Sequence, residues 1–166
     1  MPRMRVFYED WQMECCGTPF AVGDEVSWPL AAYDTEGVRE GHGYGAEAWV
    51  ENHGDPDRPV VGRVRAVDLV HEEYGFRLPD PQPGPVKPRG GVVLRGSGRG
   101  LEPVPGTVTL EPSAGCPKWF EEVDRGTVDG LGRVRRTRGA LVTLELADGT
   151  ALELPDGTPP QPGDHR

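Results

Sequence analysis

The stretch that decides the fold is YEDWQMECCGTPFAVGDEVSWPL, residues 8–30. Its second half carries the clearest strand signal in the chain. Gly23 and Asp24 predict a turn, because glycine tolerates positive φ and an aspartate carboxylate accepts hydrogen bonds from nearby amides. After this turn, Val26 and Trp28 alternate with polar residues, as in a strand with one buried face. This stretch therefore predicts a strand that begins directly after a tight turn.

Alternating hydrophobic residues on either side of this stretch predict further strands. Met4 to Tyr8 alternates over five residues, which suits a short strand. Residues 59–70 also alternate, but their phase changes near Arg65–Ala66, and such a change predicts a β-bulge. Residues 71–78 continue that strand.

A hairpin is predicted near the end of the alternating pattern. Residues 142–146 and 152–154 each place leucine or valine at every second position. A three-residue loop, residues 147–149, sets Leu144 opposite Leu152 and puts Gly149 where a left-handed residue is required.

One helix is predicted, over residues 46–53. Its apolar stripe consists of Ala46, Trp49, Val50 and His53, spaced at i, i+3, i+4 and i+7. Residues 11–20 are instead predicted to form an irregular connection, because they are polar and end in a Gly-Thr-Pro breaker.

These segments predict a single, mainly β domain over residues 1–154, a small barrel or sandwich with one short helix and long Gly/Pro-rich loops. Residues 79–91 contain five prolines. Proline donates no amide hydrogen bond, so this segment is predicted to be a loop. Residues 155–166 lack hydrophobic periodicity and are predicted to be a disordered tail.

The charge of the chain is unevenly distributed. The formal net charge is −9, and residues 1–60 carry 12 acidic and 4 basic side chains. An acidic surface disfavours non-specific binding to nucleic acid or anionic membranes. The chain has no run of about 20 apolar residues and no apolar leader. These features predict a cytoplasmic protein without a membrane partner and with little tendency to bind nucleic acid.

The segment Trp11–Trp28, WQMECCGTPFAVGDEVSW, resembles the opening of a family of small uncharacterised proteins. The family is a domain of unknown function from high-GC Gram-positive bacteria. The likeness extends more loosely through residues 51–54 and 61–64, and none is seen in the last third of the chain. The family has no assigned activity, so the resemblance implies no catalytic residue.

Cys15-Cys16 is the most unusual dipeptide in the chain. In an extended segment adjacent cysteines point to opposite sides, and a disulfide between them closes a strained ring. The surrounding acidic residues raise a thiol pKa rather than lower it. The pattern favours buried cysteines that react slowly, while a metal ligand and a redox pair remain the alternatives.

No cofactor is predicted, and zinc is the metal that the candidate ligands would select. A zinc site needs three or four ligands. His53 and His71 are the preferred candidates, together with Cys15 and Cys16, and no closely spaced ligand pair arranges them in advance. Cys116 and His42 are two further candidate ligands.

One basic run is present, and it consists of Arg133, Arg135, Arg136 and Arg138. On a small barrel such a run is able to contact RNA or another polyanion. The alternative is a strand whose arginines pair with the acidic N-terminal third.

The preferred functional prediction is a non-enzymatic cytoplasmic binding or regulatory module with a protein partner. The predicted contact residues are Trp11, Gln12, Glu14, Asp24 and Glu25, because an aromatic side chain ringed by charge is typical of an interaction hot spot. Trp11 capping the core beside Trp28 is the competing interpretation. Two alternatives remain open: a metal- or thiol-dependent enzyme or sensor built on the cysteines and histidines, and a nucleic-acid-binding barrel.

Overall fold

A computed structural model describes residues 2–33, 42–53, 59–77, 100–147 and 156–157. Within them lie one α-helix, α1 (Asp10–Cys16), and one 3₁₀ turn (His42–Gly45). The strands are β1 (Arg3–Glu9), β2 (Phe20–Ala21), β3 (Glu25–Trp28), β4 (Leu30–Tyr33), β5 (Ala48–Val50), β6 (Val60–Arg77), β7 (Glu102–Pro103), β8 (Thr109–Ser113), β9 (Gly115–Cys116), β10 (Glu122–Val128), β11 (Leu131–Leu146) and β12 (Asp156–Gly157).

The strands form a nearly closed, barrel-shaped sheet. Its order is β12-β4-β5-β1-β11-β6-β3, with β10 added to β11 and with β7 and β8 added to β6. The short strands β2 and β9 pair separately. The prediction of a mainly β, barrel-like fold with one short helix is confirmed. Across the described ranges, no helix has the length and apolar character needed to cross a membrane.

Strand β11 forms the centre of the core. It pairs antiparallel with β1 along one edge and with β6 along the other. Val142 and Leu144 are fully buried, and they lie in register with Val6 and Met4 of β1. Covering both faces and both edges of one strand removes a large apolar surface from water, which is the main favourable term in folding.

The predicted bulge in β6 is confirmed. Thr143 of β11 pairs with Ala66, and its neighbour Leu144 pairs with Val64, so Arg65 is the extra residue on β6. Val64 and Val67 are both buried although they are three positions apart, an odd spacing that would place them on opposite faces of a regular strand, so the bulge returns the apolar side chains of β6 to the buried face.

The predicted turn and strand in the opening stretch are also confirmed. Gly23 has φ 98°, and Asp24 Oδ2 accepts a hydrogen bond from the Ala21 amide at 2.8 Å. In β3, Trp28 is buried and Val26 is half-buried, whereas Glu25 and Ser27 are exposed. The local turn chemistry therefore fixes where β3 begins.

The predicted helix at residues 46–53 is wrong. Residues 48–50 form β5, which pairs in parallel with β1 and antiparallel with β4. All three residues of β5 are buried, because neighbouring elements cover both faces of this strand. A short apolar run buried on both faces cannot be told from a helical stripe by its periodicity.

The helix lies instead in the segment predicted to be a connection. Gly17 ends α1, and its amide donates to the Met13 carbonyl at 2.9 Å. A Cβ atom at Gly17 would lie 2.6 Å from the Tyr8 hydroxyl, so only glycine fits where the helix end packs on β1. Lys118 Nζ donates to the Met13 and Gly17 carbonyls at 3.0 and 3.1 Å. These tertiary contacts stabilise a helix too short to persist alone.

The predicted C-terminal hairpin register is wrong, because β1 and β6 already occupy both edges of β11 at residues 142–145. The rest of its predicted loop, 147–149, and its return strand lie at residues 148–154, outside the described residues. Within the predicted tail, Asp156–Gly157 pair in parallel with β4. The remaining tail residues and the proline-rich segment 79–91 also lie outside the described residues.

Candidate functional site

The last turn of α1 presents Cys15 and Cys16 to solvent, where they form a disulfide between sequence neighbours. The prediction of buried cysteines is wrong for this pair, because it assumed an extended chain in which the two side chains diverge. The third cysteine, Cys116, is buried, and burial raises the pKa of its thiol to about 12. The reactive sulfur chemistry of the described residues therefore lies at the end of α1.

His53 completes a cysteine–histidine cluster, defined here as Cys15, Cys16 and His53. The potential ligand atoms of these three residues all lie within 4.8 Å of one another. His53 Nε2 is 3.8 Å from Cys16 Sγ, and His53 Nδ1 is 3.7 Å from Glu51 Oε1. Since one ring nitrogen faces sulfur and the other a carboxylate, the ring is oriented as in many metal-binding histidines.

Gln12 of α1 and Asn52 connect the helix to the turn that carries His53. Gln12 Oε1 accepts a hydrogen bond from the Asn52 amide at 3.1 Å, and Gln12 Nε2 donates to Glu51 at 3.2 Å. Asn52 Nδ2 donates in turn to the Tyr8 hydroxyl at 3.0 Å. Gln12 is fully buried, so its prediction as a partner-contact residue is wrong. Gln12 instead holds the turn at residues 51–53, which carries His53, against α1.

Trp11 packs against the histidine of the cysteine–histidine cluster. Its ring stacks on His53 with centroids 5.9 Å apart and planes 10° apart. Trp11 is half-buried, whereas Trp28 packs elsewhere, against Tyr8 and Phe20. Trp11 thus neither stands free on the surface nor caps the core beside Trp28. It supports one face of the histidine ring.

A cleft of about 430 Å³ adjoins the cluster. Its lining includes Cys16 and Asn52 as well as the acidic residues Asp24 and Glu25. Asp24 and Glu25 are exposed, as expected of contact residues, while the predicted contact residue Glu14 is half-buried and accepts a hydrogen bond from a backbone amide at 3.3 Å. The cleft therefore combines a sulfur atom with an acidic rim.

His71, the other histidine preferred as a metal ligand, lies outside the cluster. It is buried, with Nδ1 2.9 Å from Thr137 Oγ1 and Nε2 3.3 Å from Glu111 Oε1. The expectation that His53 and His71 share one site is wrong: His53 lies in the turn after β5 and groups with the two cysteines, whereas His71 is held within β6. The His42 side chain lies outside the described residues.

Most of the arginine run is paired within the domain. Arg133 pairs with Glu73 at 3.6 Å, and Arg136 pairs with Glu122 at 3.4 Å. Arg138 is largely buried and pairs with residues at the start of α1. Arg135 is half-buried on the same strand. This pairing removes most of the cationic surface that binding to a polyanion requires.

Arg138 also belongs to a buried ionisable group that the sequence did not reveal. Its guanidinium is 3.5 Å from Glu9 Oε1 and 3.9 Å from Asp10 Oδ2. Burial raises the pKa of the Glu9 carboxyl to about 7, although the neighbouring Trp11 side chain and the charge of Arg138 both oppose this rise. Desolvation therefore outweighs ion pairing at Glu9. No local signal marks this group, because Glu9 and Arg138 are far apart in sequence.

On the same side of the barrel, two tyrosine hydroxyls converge on one carboxylate. Tyr44 and Tyr74 donate to Glu72 Oε1 at 3.0 and 2.9 Å. Burial raises the pKa of Tyr44 to about 12, so its hydroxyl remains a donor at neutral pH. The arrangement satisfies buried polar atoms and contributes to structure rather than to an open site.

Fold and site together define a class: a mainly β, barrel-like domain with one short helix, whose end carries a solvent-exposed vicinal cysteine pair beside an oriented histidine. The chain belongs to the family of unknown function DUF6578, whose model matches residues 2–146. The resemblance to a domain of unknown function is thereby confirmed, and the match extends into the last third of the chain, where the sequence showed no likeness. No curated protein and no solved structure matches the chain significantly.

Proposed function

We propose that this protein is a thiol-dependent regulatory module in which Cys15 and Cys16 interconvert between a dithiol and a disulfide. The observation that carries the proposal is the position of both sulfur atoms, side by side and exposed at the end of α1. A redox-responsive thiol must be accessible to its oxidant, and this pair meets that requirement while Cys116 does not.

The chemical step is a thiol–disulfide exchange. The two thiols lose two protons and two electrons as the Cys15–Cys16 bond forms, and a low-molecular-weight disulfide is reduced to two thiols. The proposal assumes a cytoplasmic location, where thiols are kept reduced and such disulfides are transient. The dithiol is then the resting state, and the disulfide is the signal.

Formation or reduction of the Cys15–Cys16 disulfide is expected to change the shape of the cleft, because Cys16 lines it. Cys16 and the following residues Gly17, Thr18 and Pro19 are part of its lining. Closing or opening the disulfide changes the allowed backbone conformations at the start of this segment. A ligand or protein that contacts the cleft would therefore bind the two redox forms with different affinity.

This function is tested by counting accessible thiols. With reduced protein, we expect Cys15 and Cys16 to react rapidly with a maleimide, while Cys116 reacts only after denaturation. After treatment with a low-molecular-weight disulfide, only Cys116 should be labelled in denaturant, and the Cys15–Cys16 peptide should be about 2 Da lighter, the mass of two hydrogens.

Two variants sharpen the test. Cys116→Ala should retain the mass loss, and Cys16→Ser should abolish it. Persistent mixed disulfides on Cys15 and Cys16, or slow labelling of both thiols in the folded reduced protein, would contradict the proposal.

A second candidate function, contact with a protein partner, is favoured by one exposed aromatic residue. Trp119 is 68% exposed, and the neighbouring Lys118 binds the carbonyls at the end of α1. Exposed tryptophan is enriched in interaction hot spots. The exposed acidic residues Asp24 and Glu25, which line the cleft, are further candidate contacts for such a partner.

For this candidate, Trp119→Ala should change the free energy of unfolding by less than about 0.5 kcal/mol, because the side chain has little buried area to lose. The same change should remove the partner recovered with wild-type protein from the native host and identified by mass spectrometry. Trp11→Ala is the comparison, since its ring is half-buried against His53. Recovery of the same partner by Trp119→Ala at wild-type yield would exclude Trp119 from the contact.

A further inference from the structure

Reduction of the Cys15–Cys16 disulfide frees two sulfur atoms of the cysteine–histidine cluster to act as metal ligands. Two thiolates and the imidazole of His53 then stand together as ligands of types that thiophilic metal ions bind. We propose that the reduced cysteine–histidine cluster binds one thiophilic divalent metal ion of the zinc type through Cys15 Sγ, Cys16 Sγ and His53 Nε2. This inference rests on the proposed function, because only the dithiol form offers both sulfur ligands.

The distances in the cluster suit such an ion. Tetrahedral zinc with bonds of about 2.3 Å to sulfur and about 2.0 Å to nitrogen places these two ligands about 3.6 Å apart. Cys16 Sγ and His53 Nε2 lie 3.8 Å apart, so this edge of the tetrahedron needs little adjustment. The two sulfur atoms, which are bonded in the oxidised form, must separate to about 3.8 Å, and reduction permits that movement.

The surroundings of His53 support a ligand role for Nε2. Glu51 Oε1 lies 3.7 Å from Nδ1 and also accepts the His53 amide hydrogen at 3.1 Å. A carboxylate on this side favours a proton on Nδ1, which leaves the Nε2 lone pair free for a metal. The stacked Trp11 ring restricts rotation of the imidazole. The histidine side chain is 59% exposed, so a metal ion reaches it from solvent.

Three protein ligands leave one coordination position open. Structural zinc sites are closed by four protein ligands, whereas sites with three exchange a water for another ligand. Metal binding and disulfide formation exclude each other, because the same two sulfur atoms take part in both. Bound metal would therefore protect the dithiol from oxidation, and oxidation would release the metal.

The experiment uses the full chain and Co²⁺, whose tetrahedral thiolate complexes absorb in the near ultraviolet and the visible. Reduced, metal-free protein is titrated with Co²⁺ under a non-thiol reductant, and Zn²⁺ is then added in competition. We expect one equivalent of Co²⁺ to produce thiolate charge-transfer absorption that Zn²⁺ removes. The disulfide form should produce none.

Variants assign the ligands. Cys15→Ser, Cys16→Ser and His53→Ala should each weaken Co²⁺ binding by about 100-fold or more, and Glu51→Gln by about 10-fold, the usual range for a residue that orients a ligand. His71→Gln is the matched control and should bind as wild type does. Circular dichroism confirms that each variant is folded.

Absence of the charge-transfer band in reduced protein would overturn the metal site, as would equal binding by the oxidised form or by the double variant Cys15→Ser, Cys16→Ser. An unaffected His53→Ala variant would remove His53 from the ligand set and overturn the site as stated. Thiol counting separates the two proposals: a reversible disulfide without Co²⁺ binding rejects the metal site alone, and absence of the disulfide rejects the regulatory function.

Discussion

Leu144→Ala is expected to lower the free energy of unfolding by about 2–5 kcal/mol, the range measured for buried leucines. Leu144 is fully buried in the central strand β11, between Met4 of β1 and Val64 of β6. Its removal deletes apolar contacts with both neighbours and leaves a cavity that two paired strands cannot close. Urea unfolding monitored by tryptophan fluorescence measures the change as a shift in midpoint at constant slope.

The matched control lies on the same strand. Leu131→Ala makes the same chemical change at a side chain that is 45% exposed, and it should cost less than about 1 kcal/mol because little buried area is lost. Equal effects at the two positions would mean that β11 is not the centre of the core. A large effect at Leu144 alone supports the sheet order in which β11 lies between β1 and β6.

Glu9→Gln is expected to stabilise the protein by about 3 kcal/mol at pH 8, since a rise in the Glu9 pKa from 4.5 to about 7 corresponds to that free energy. Burial disfavours the charged carboxylate, so the folded state binds the proton more tightly than the unfolded state does. The contribution of Glu9 to stability is present below pH 4.5 and is lost as the pH rises to about 7. Glutamine mimics the protonated form at every pH.

The measurement is the difference in unfolding free energy between variant and wild type from pH 4 to pH 8. It should be near zero at pH 4, grow through the intermediate range and level off above pH 7. Glu122→Gln is the control, because this carboxylate is 49% exposed at its ion pair with Arg136, and its replacement should change the unfolding free energy by less than about 1 kcal/mol. A Glu9→Gln variant less stable than wild type at pH 8 would show that the Arg138 ion pair outweighs burial.

Glu9 also connects the buried ionisable group to the cysteine–histidine cluster. The Trp11 side chain acts on the pKa of the Glu9 carboxyl, and the Trp11 ring stacks on His53. In the thiol and metal proposals, His53 is therefore held by Trp11, which also neighbours the buried Glu9. Measuring Co²⁺ binding by Glu9→Gln together with its stability would show whether this support matters for affinity.

Several elements of the fold were predictable because their causes are local. Gly23 and Asp24 define a turn by their own backbone and side-chain chemistry, so the start of β3 follows from the sequence. The bulge at Arg65 is visible because the alternation changes phase there. The barrel-like class follows from several such strands without a long helical pattern.

The candidate site was only partly predictable. Cys15, Cys16 and His53 were recognised as potential ligands from residue type alone, but their proximity depends on the turn at residues 51–53 packing on α1. The predicted partner of His53, His71, is held by Thr137 on another part of the sheet. The spacing of these residues along the chain does not predict which of them meet. The contacts of His53 and of His71 are made with residues distant in sequence, which only the folded sheet brings together.

The sequence by itself determined the strands and turns whose signals lie within a few residues. The tertiary structure alone decided which short apolar segment became strand β5 and which polar segment became helix α1, because burial on both faces and the contacts of Gly17 and Lys118 act between distant parts of the chain. It also decided that Gln12 is an internal support and that Arg138 pairs with Glu9. Periodicity shows which side chains are apolar, but only packing determines what covers them.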